Sequence, residues 1–179
     1  MAATRTRRLT LVLGGARSGK SRYAERLVLA SGLAPVYVAT AEALDDEMAA
    51  RIAAHRARRG ADWRTVEEPL DLVAALHREC APDRAVLVDC LTLWLANLMG
   101  RDRPPGPEIE RLVAALGALP GALVLVSNEV GLGVVPTAAM ARAFIDHAGW
   151  LHQRVAEQAE VVVFMAAGLP LHLKAPPDA

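Results

Sequence analysis

Lysine is almost missing from this chain: of its 20 basic residues only Lys20 and Lys174 are lysines, and the rest are arginines. Cysteine is equally scarce. Cys80 and Cys90 are too few and too spread for a zinc site or a disulfide framework, which fits a reducing, cytoplasmic setting. Aromatic residues make up 4% of the sequence, so the core must be built of Leu, Val and Ala. Formal net charge is zero, which offers no basic face for nucleic acid or an anionic membrane. The richest apolar stretch, Ala114 to Val126, is broken by Pro120 and Gly121. It falls short of the ~18–20 residues of a membrane span. Arginines ahead of Leu9–Leu13 imitate a signal peptide, but that run is shorter than the ~7–15 residues of a secretory core. No N-K-x-D occurs anywhere, so the guanine-reading motif of switch GTPases is absent.

What is present is concentrated near the N-terminus. Gly14-Gly15-Ala16-Arg17-Ser18-Gly19-Lys20-Ser21 fits the phosphate-binding pattern G-x-x-x-x-G-K-[ST]. The apolar, β-prone Leu9–Leu13 precedes it and a helical pattern, Arg22 to Ala30, follows. Strand, glycine loop and helix form the context in which backbone N–H groups can cradle phosphates. Lys20 is expected to reach the β- and γ-phosphates and Ser21 to ligate Mg²⁺. In an arginine-rich chain the loop keeps the compact ammonium, which a guanidinium does not replace as a point charge.

The remaining sequence alternates between two patterns. Near-continuous apolar runs at Leu9–Leu13, Pro35–Ala39, Arg84–Val88, Ala122–Val126 and Val161–Met165 read as parallel strands covered on both faces. Helical stretches fall at Lys20–Ala30, Asp46–Arg59, Leu70–Cys80, Leu91–Met99, Glu108–Leu119 and Ala138–Gln158. The expected architecture is α/β, P-loop NTPase-type (RecA-like): a mainly parallel sheet flanked by helices in a single domain. The segment Gly100 to Pro107, rich in Pro and Gly, reads as an exposed loop. Residues 1–8 and 175–179 are expected to be disordered ends around a catalytic domain of residues 9–174.

Three further constellations carry chemistry. Val86-Leu87-Val88-Asp89 is an apolar strand ending in a carboxylate, as a Walker B strand does. Strand carboxyl ends face the ligand crevice in a parallel sheet, so Asp89 can join Ser21 in holding Mg²⁺ or can simply cap the helix from Leu91. Asn128 and Glu129 end a second such strand and can contact metal, nucleotide or acceptor, or serve only the loop. His55 shares a helical face with Met48 and Ile52 among Arg51, Arg56, Arg58 and Arg59. It reads either as a surface histidine or as an imidazole nucleophile beside phosphate-holding guanidinium groups. His77, His147, His152 and His172 form no metal pattern and read as structural.

Taken together, the phosphate loop through Arg22, Tyr37-Val38-Ala39-Thr40-Ala41, Asp45-Asp46-Glu47-Met48 with Arg51-Ile52 and His55, Asp62 to Pro69, Asp89-Cys90-Leu91-Thr92 and Asn128 to Gly133 resemble one family. It is the bifunctional adenosylcobinamide kinase/adenosylcobinamide-phosphate guanylyltransferase family of cobalamin biosynthesis, and the likeness runs from about Leu9 to Lys174. The resemblance implies phosphorylation of a corrinoid alcohol by ATP or GTP, followed by GMP transfer from GTP through a guanylylated histidine. It implies His55 as that nucleophile, and nucleotide contacts at Gly14–Ser21, Ala39, Thr40, Ala41, Arg56, Ala57, Arg58, Arg59, Glu67 and Asp89. A Mg²⁺-dependent homotrimer is implied as well. Two other readings use part of the same residues: a single-function P-loop kinase of a small metabolite, and a non-catalytic GTP-binding regulator. The first leaves the His55 helix unexplained, and the second needs a partner surface of which the sequence gives no sign.

Overall fold

The computed structural model describes residues 8–43, 45–60 and 62–175, and of Met48, Arg51, His55 and Arg58 only the backbone. The chain runs β1 (Arg8–Gly14), α1 (Lys20–Ala30), β2 (Ala34–Ala39), α2 (Asp46–Arg59), β3 (Arg64–Glu67), α3 (Leu72–Glu79), β4 (Arg84–Asp89), α4 (Leu91–Gly100), α5 (Pro105–Leu116), β5 (Ala122–Asn128), α6 (Ala139–Gln158), β6 (Val161–Ala166) and β7 (Leu169–Lys174). Among the described residues all the strands join one sheet in the order β3-β2-β4-β5-β1-β6-β7. Every pairing is parallel except β6 with β7.

The apolar runs are buried on both sides, with side chains alternating between two cores. Leu9, Leu11 and Leu13 of β1 pack on one face with Leu76 of α3, Trp94 of α4, Leu112 of α5 and Leu151 of α6. Val12 points the other way and joins Leu87, Val126 and Val163 against Ala24 and Val28 of α1. This two-sided cover is the physical reason the strands read as continuous rather than alternating. The single-domain α/β expectation holds.

Register brings the functional ends together. Gly14 lies opposite Asn128 on one side and Met165 on the other. Asp89 lies opposite Ala39 and Val126. The carboxyl ends of β1, β2, β4 and β5 therefore share one rim, the usual ligand crevice of such sheets.

Several elements differ from expectation. α5 starts at Pro105, inside the expected loop, because proline in a first helical turn gives up an N–H that would be unpaired anyway. α3 starts at Leu72 rather than Leu70, since Glu68 Oε1 accepts from the N–H groups of Leu70 (3.1 Å) and Asp71 (2.8 Å) and holds a turn there. β3 and β7 are two edge strands beyond the five expected. β3 reads Arg-Thr-Val-Glu with little to bury, and β7 is exposed throughout and carries Pro170. Of the expected disordered ends, residues 1–7 and 176–179 lie outside the described residues, while Arg8 already forms the first residue of β1.

Candidate functional site

The phosphate loop is shaped by what surrounds its glycines. At Gly14, φ is +151° and a Cβ would sit 2.5 Å from the Met165 carbonyl oxygen and 2.7 Å from Ser18 Oγ. Only glycine lets β1 turn out of the sheet there. Gly19 has φ +96° directly before α1, and the β6–β7 turn braces the loop from outside, Gly168 N–H donating to the Ser18 carbonyl at 3.0 Å. α1 then begins with no capping side chain and no acidic residue in its first turn. Its N-terminal N–H groups and positive dipole end are left for an external anion.

Lys20 is 7% exposed and its Nζ donates to the Gly15 carbonyl at 2.6 Å. Burial pushes its pKa below the ordinary value, opposed by the nearby Cys90 and Asp89. The ammonium is thus folded back onto its own loop, in reach of the β4 rim. Ser18 Oγ is buried without a partner, Ser21 is half-buried, and Ala16 and Arg17 are exposed at the tip of the loop, with Arg17 at φ +55°.

At the β4 rim, Asp89 Oδ2 is buried and accepts no hydrogen bond. Among the described residues no group of three or more His, Cys, Asp or Glu side chains is arranged to hold a metal ion by itself. One orphaned carboxylate oxygen within electrostatic reach of Lys20 nevertheless fits Mg²⁺, which is commonly held by one or two carboxylates plus substrate phosphates rather than by an all-protein cage. Asp89 is set in place by Thr40. The Thr40 hydroxyl donates to the Cys90 carbonyl (2.7 Å) and accepts from the Cys90 N–H (2.8 Å), and its own N–H reaches the Asp89 carbonyl at 3.4 Å. Asn97 Nδ2 donates to the Thr40 carbonyl at 2.7 Å. Thr40, expected as a nucleotide contact, is fully buried with its hydroxyl engaged; Ala39 and Ala41 beside it are half-buried.

α2 meets this rim through its last turn. The Arg59 guanidinium lies 3.4 Å from the centre of the Tyr37 ring, and Tyr37 packs edge-on against Trp63. Arg59 Nε and Nη1 are buried without partners, a state that suits a guanidinium awaiting an anion. Burial, then the adjacent Asp89 charge, push the Tyr37 phenol far above its usual pKa, so it stays protonated. Arg56 pairs with Glu67 of β3 in an exposed ion pair, and Ala57 is exposed. His55 and Arg58 belong to α2, one residue and one turn from these groups, but their side chains lie outside the described residues.

The β5 rim holds the third cluster. Asn128 Nδ2 donates to Thr92 Oγ1 at 2.9 Å, which fixes its carboxamide against α4. The Glu129 N–H donates to the Gly14 carbonyl at 3.0 Å, tying the residue to the root of the phosphate loop. A cleft of about 450 Å³ opens between Glu129, Gly15–Ser18 and the β6–β7 turn. A second, of about 330 Å³, lies between Glu129 and α6.

The structure therefore gathers the loop, Asp89, Arg59 and Glu129 at one edge of the sheet. Sequence reading passed over Tyr37 as a site residue and treated His152 as structural. His152 is buried, with Nε2 2.7 Å from Ser127 Oγ and Nδ1 3.9 Å from the Glu129 carboxylate. The signal for Tyr37 was its place two residues before the end of β2, whereas His152 meets Ser127 only through the packing of α6 on β5.

Comparison with known proteins agrees with this geometry. The solved RadB recombinase is similar in fold (TM-score 0.52, 17% identity, 87% of this chain and 73% of that one). So is the flagellar accessory protein FlaH from Methanocaldococcus jannaschii (TM-score 0.56, 14% identity, 94% and 79%). These likenesses support the P-loop NTPase-type fold alone. In sequence, the bifunctional adenosylcobalamin biosynthesis protein CobP of Pseudomonas aeruginosa is 59% identical over 169 residues, covering 93% of this chain and 98% of that protein. The bifunctional adenosylcobalamin biosynthesis protein CobU of Escherichia coli is 41% identical over 181 residues, covering 93% and 99%. The family described as Cobinamide kinase / cobinamide phosphate guanyltransferase matches residues 10–173. With that match spanning nearly the whole chain, the protein belongs to the cobinamide kinase / cobinamide phosphate guanyltransferase family.

Proposed function

We propose that this enzyme phosphorylates the aminopropanol hydroxyl of adenosylcobinamide and then transfers GMP from GTP to the product, giving adenosylcobinamide-GDP and pyrophosphate. The observation that carries the reading is one sheet edge that combines a complete phosphate loop with the last turn of the His55 helix. Residues Gly14–Ser21 hold the triphosphate of ATP or GTP at the N-terminus of α1, where Lys20 exchanges the Gly15 carbonyl for phosphate oxygens. Ser21 and Asp89 hold Mg²⁺, which when bound neutralises charge on the β- and γ-phosphates. Asn128 and Glu129 face the acceptor.

In the second half-reaction His55 attacks the α-phosphorus of GTP, pyrophosphate leaves, and the phosphate of adenosylcobinamide phosphate displaces the imidazole. A covalent intermediate splits a difficult displacement into two in-line steps. Arg56, Arg58 and Arg59 stabilise the charge on the phosphates, Glu67 holds Arg56, and Ala39 to Ala41 with Ala57 complete the nucleotide pocket. The buried free thiols Cys80 and Cys90 fit a cytoplasmic enzyme, and no described helix is long and apolar enough to cross a membrane. The assembly is a homotrimer in this reading. Exposed Leu132, Val134, Val135 and Met140, and Leu169, Leu171 and Leu173 along the open edge strand β7, support burial against other subunits.

Intact-protein mass spectrometry after incubation with GTP and Mg²⁺ tests the covalent step. A GMP-sized, acid-labile gain in the wild type and none in His55→Ala is the expected result. An equal gain in both proteins would refute His55 as nucleophile.

A further inference from the structure

The kinase half-reaction needs a group to receive the proton of the attacking hydroxyl, a role given neither to the phosphate loop nor to the metal-holding Asp89. Glu129 is placed for the task. Its backbone is tied to Gly14, so its carboxylate stays beside the phosphate loop. Oε1 accepts from the Gly131 N–H at 2.5 Å, while Oε2 lies 3.9 Å from His152 Nδ1 with the side chain 22% exposed. His152 is itself fixed by the 2.7 Å contact of Nε2 with Ser127 Oγ inside the protein. Burial holds the His152 pKa down against the opposing charge of Glu129, which favours the neutral ring. Glu129 is also common to both clefts, the one that reaches Gly15–Ser18 and the one walled by Ile145, Asp146, Gly149, Trp150 and Gln153 of α6.

We propose that Glu129 is the proton acceptor of the phosphoryl-transfer step, that His152 positions it, and that the hydroxyl-bearing arm of the substrate enters through the α6 cleft. The proposal rests on the kinase reading above. At about 330 Å³ the cleft is at the small end of ligand pockets, so it takes an amide-linked alcohol arm and not a whole corrin ring. In the step, the hydroxyl oxygen bonds to the γ-phosphorus as the β–γ bridging P–O bond breaks. The nucleoside diphosphate leaves, and the hydroxyl proton passes to Glu129 Oε2 and from there to solvent.

Three variants test this, with adenosylcobinamide and ATP for the kinase step and GMP uptake from GTP alone for the other. Glu129→Gln should lower kinase kcat by about 100-fold or more, the usual worth of a positioned acid–base group, and still take up GMP. Gly149→Leu should raise KM for adenosylcobinamide about tenfold with kcat nearly unchanged, the pattern of lost ground-state binding. A Cβ at Gly149 meets nothing within 4 Å, so the helix tolerates the side chain that fills the cleft. His152→Asn should lower kcat and leave KM alone. Wild-type kinase turnover in Glu129→Gln, or an unmoved KM in Gly149→Leu, would overturn the proposal while the kinase reading stands. Absence of kinase turnover in the wild type itself would overturn both.

Discussion

Replacing Thr40 by valine keeps the shape of a fully buried side chain and removes the hydroxyl that joins β2 to the β4–α4 junction. Two hydrogen bonds go with it, one to the Cys90 carbonyl and one from the Cys90 N–H. The carbonyl keeps the Trp94 N–H at 3.2 Å, so only the N–H is orphaned in a residue 4% exposed. An orphaned buried donor costs about 1–3 kcal/mol and the second lost bond about 1, together about 2–4 kcal/mol. For a domain of this size that corresponds to a fall in Tm of roughly 5–15 °C. Thr40→Ser keeps the hydroxyl and gives up one methyl, about 1 kcal/mol and roughly 2–4 °C. Paired thermal melts of the two variants measure the difference directly. The carboxylate of Asp89 follows Cys90, so Thr40→Val should also weaken Mg²⁺-dependent triphosphate binding more than Thr40→Ser does. Equal melting temperatures for the two would show that the hydroxyl is not the clamp, and the account of how Asp89 is positioned would fall with it.

Three further outcomes are expected. Gly14→Ala should abolish triphosphate binding, measured by ligand-induced thermal shift, because the new Cβ lands 2.5 Å from the Met165 carbonyl; retained binding would mean the loop has another way out of β1. Glu79, its side chain wholly buried among Arg64, Arg78 and Arg84, is held below its ordinary pKa first by the Arg64 hydrogen bond. Glu79→Ala should therefore lose about 2–3 kcal/mol at neutral pH. Because a depressed pKa stabilises above the unfolded value and is lost as pH falls through the folded one, the gap from wild type should close in acid below about pH 4 in urea titrations. Lys20→Met should melt a few degrees higher than wild type without ligand, since folding disfavours the buried ammonium, yet lose the roughly 5–10 °C gain that saturating GTP gives wild type. A lower ligand-free Tm in Lys20→Met would contradict that sign.

Much of the candidate site was legible in the sequence because its requirements are local. A glycine loop, the strand before it and the helix after it lie within a few residues of one another, and Asp89 and Asn128-Glu129 announce themselves as polar residues closing apolar runs. The five inner strands were legible because burial on both faces demands continuous Val and Leu. The edge strands β3 and β7 answer no such demand, since one side of each faces solvent. Contacts that depend on register were out of reach: Thr40 meets Cys90 across 50 residues and His152 meets Ser127 across 25. Neither spacing has a sequence signature, and His152 reads as a helical histidine until β5 is laid against α6.

The placement of unmet valences on this molecule is itself an argument for the site. Away from the rim, several charges are answered: Glu79 by three arginines, Arg101 by Glu42 through two 2.7 Å bonds, Arg103 by Asp71 and Glu108. At the rim α1 opens without a cap, Lys20 is buried against a carbonyl, Asp89 keeps a buried oxygen without a donor, and Arg59 keeps two buried nitrogens without an acceptor. Each departure disfavours the free protein, because buried polar groups are ordinarily paired. They also complement one another as a set: N–H groups, an ammonium and a guanidinium to receive phosphate oxygens, and a carboxylate to receive the cation that accompanies them. Under the proposed function, stability left unclaimed in the free state is recovered when a triphosphate with its metal binds, so the same residues that weaken the fold would define what it binds.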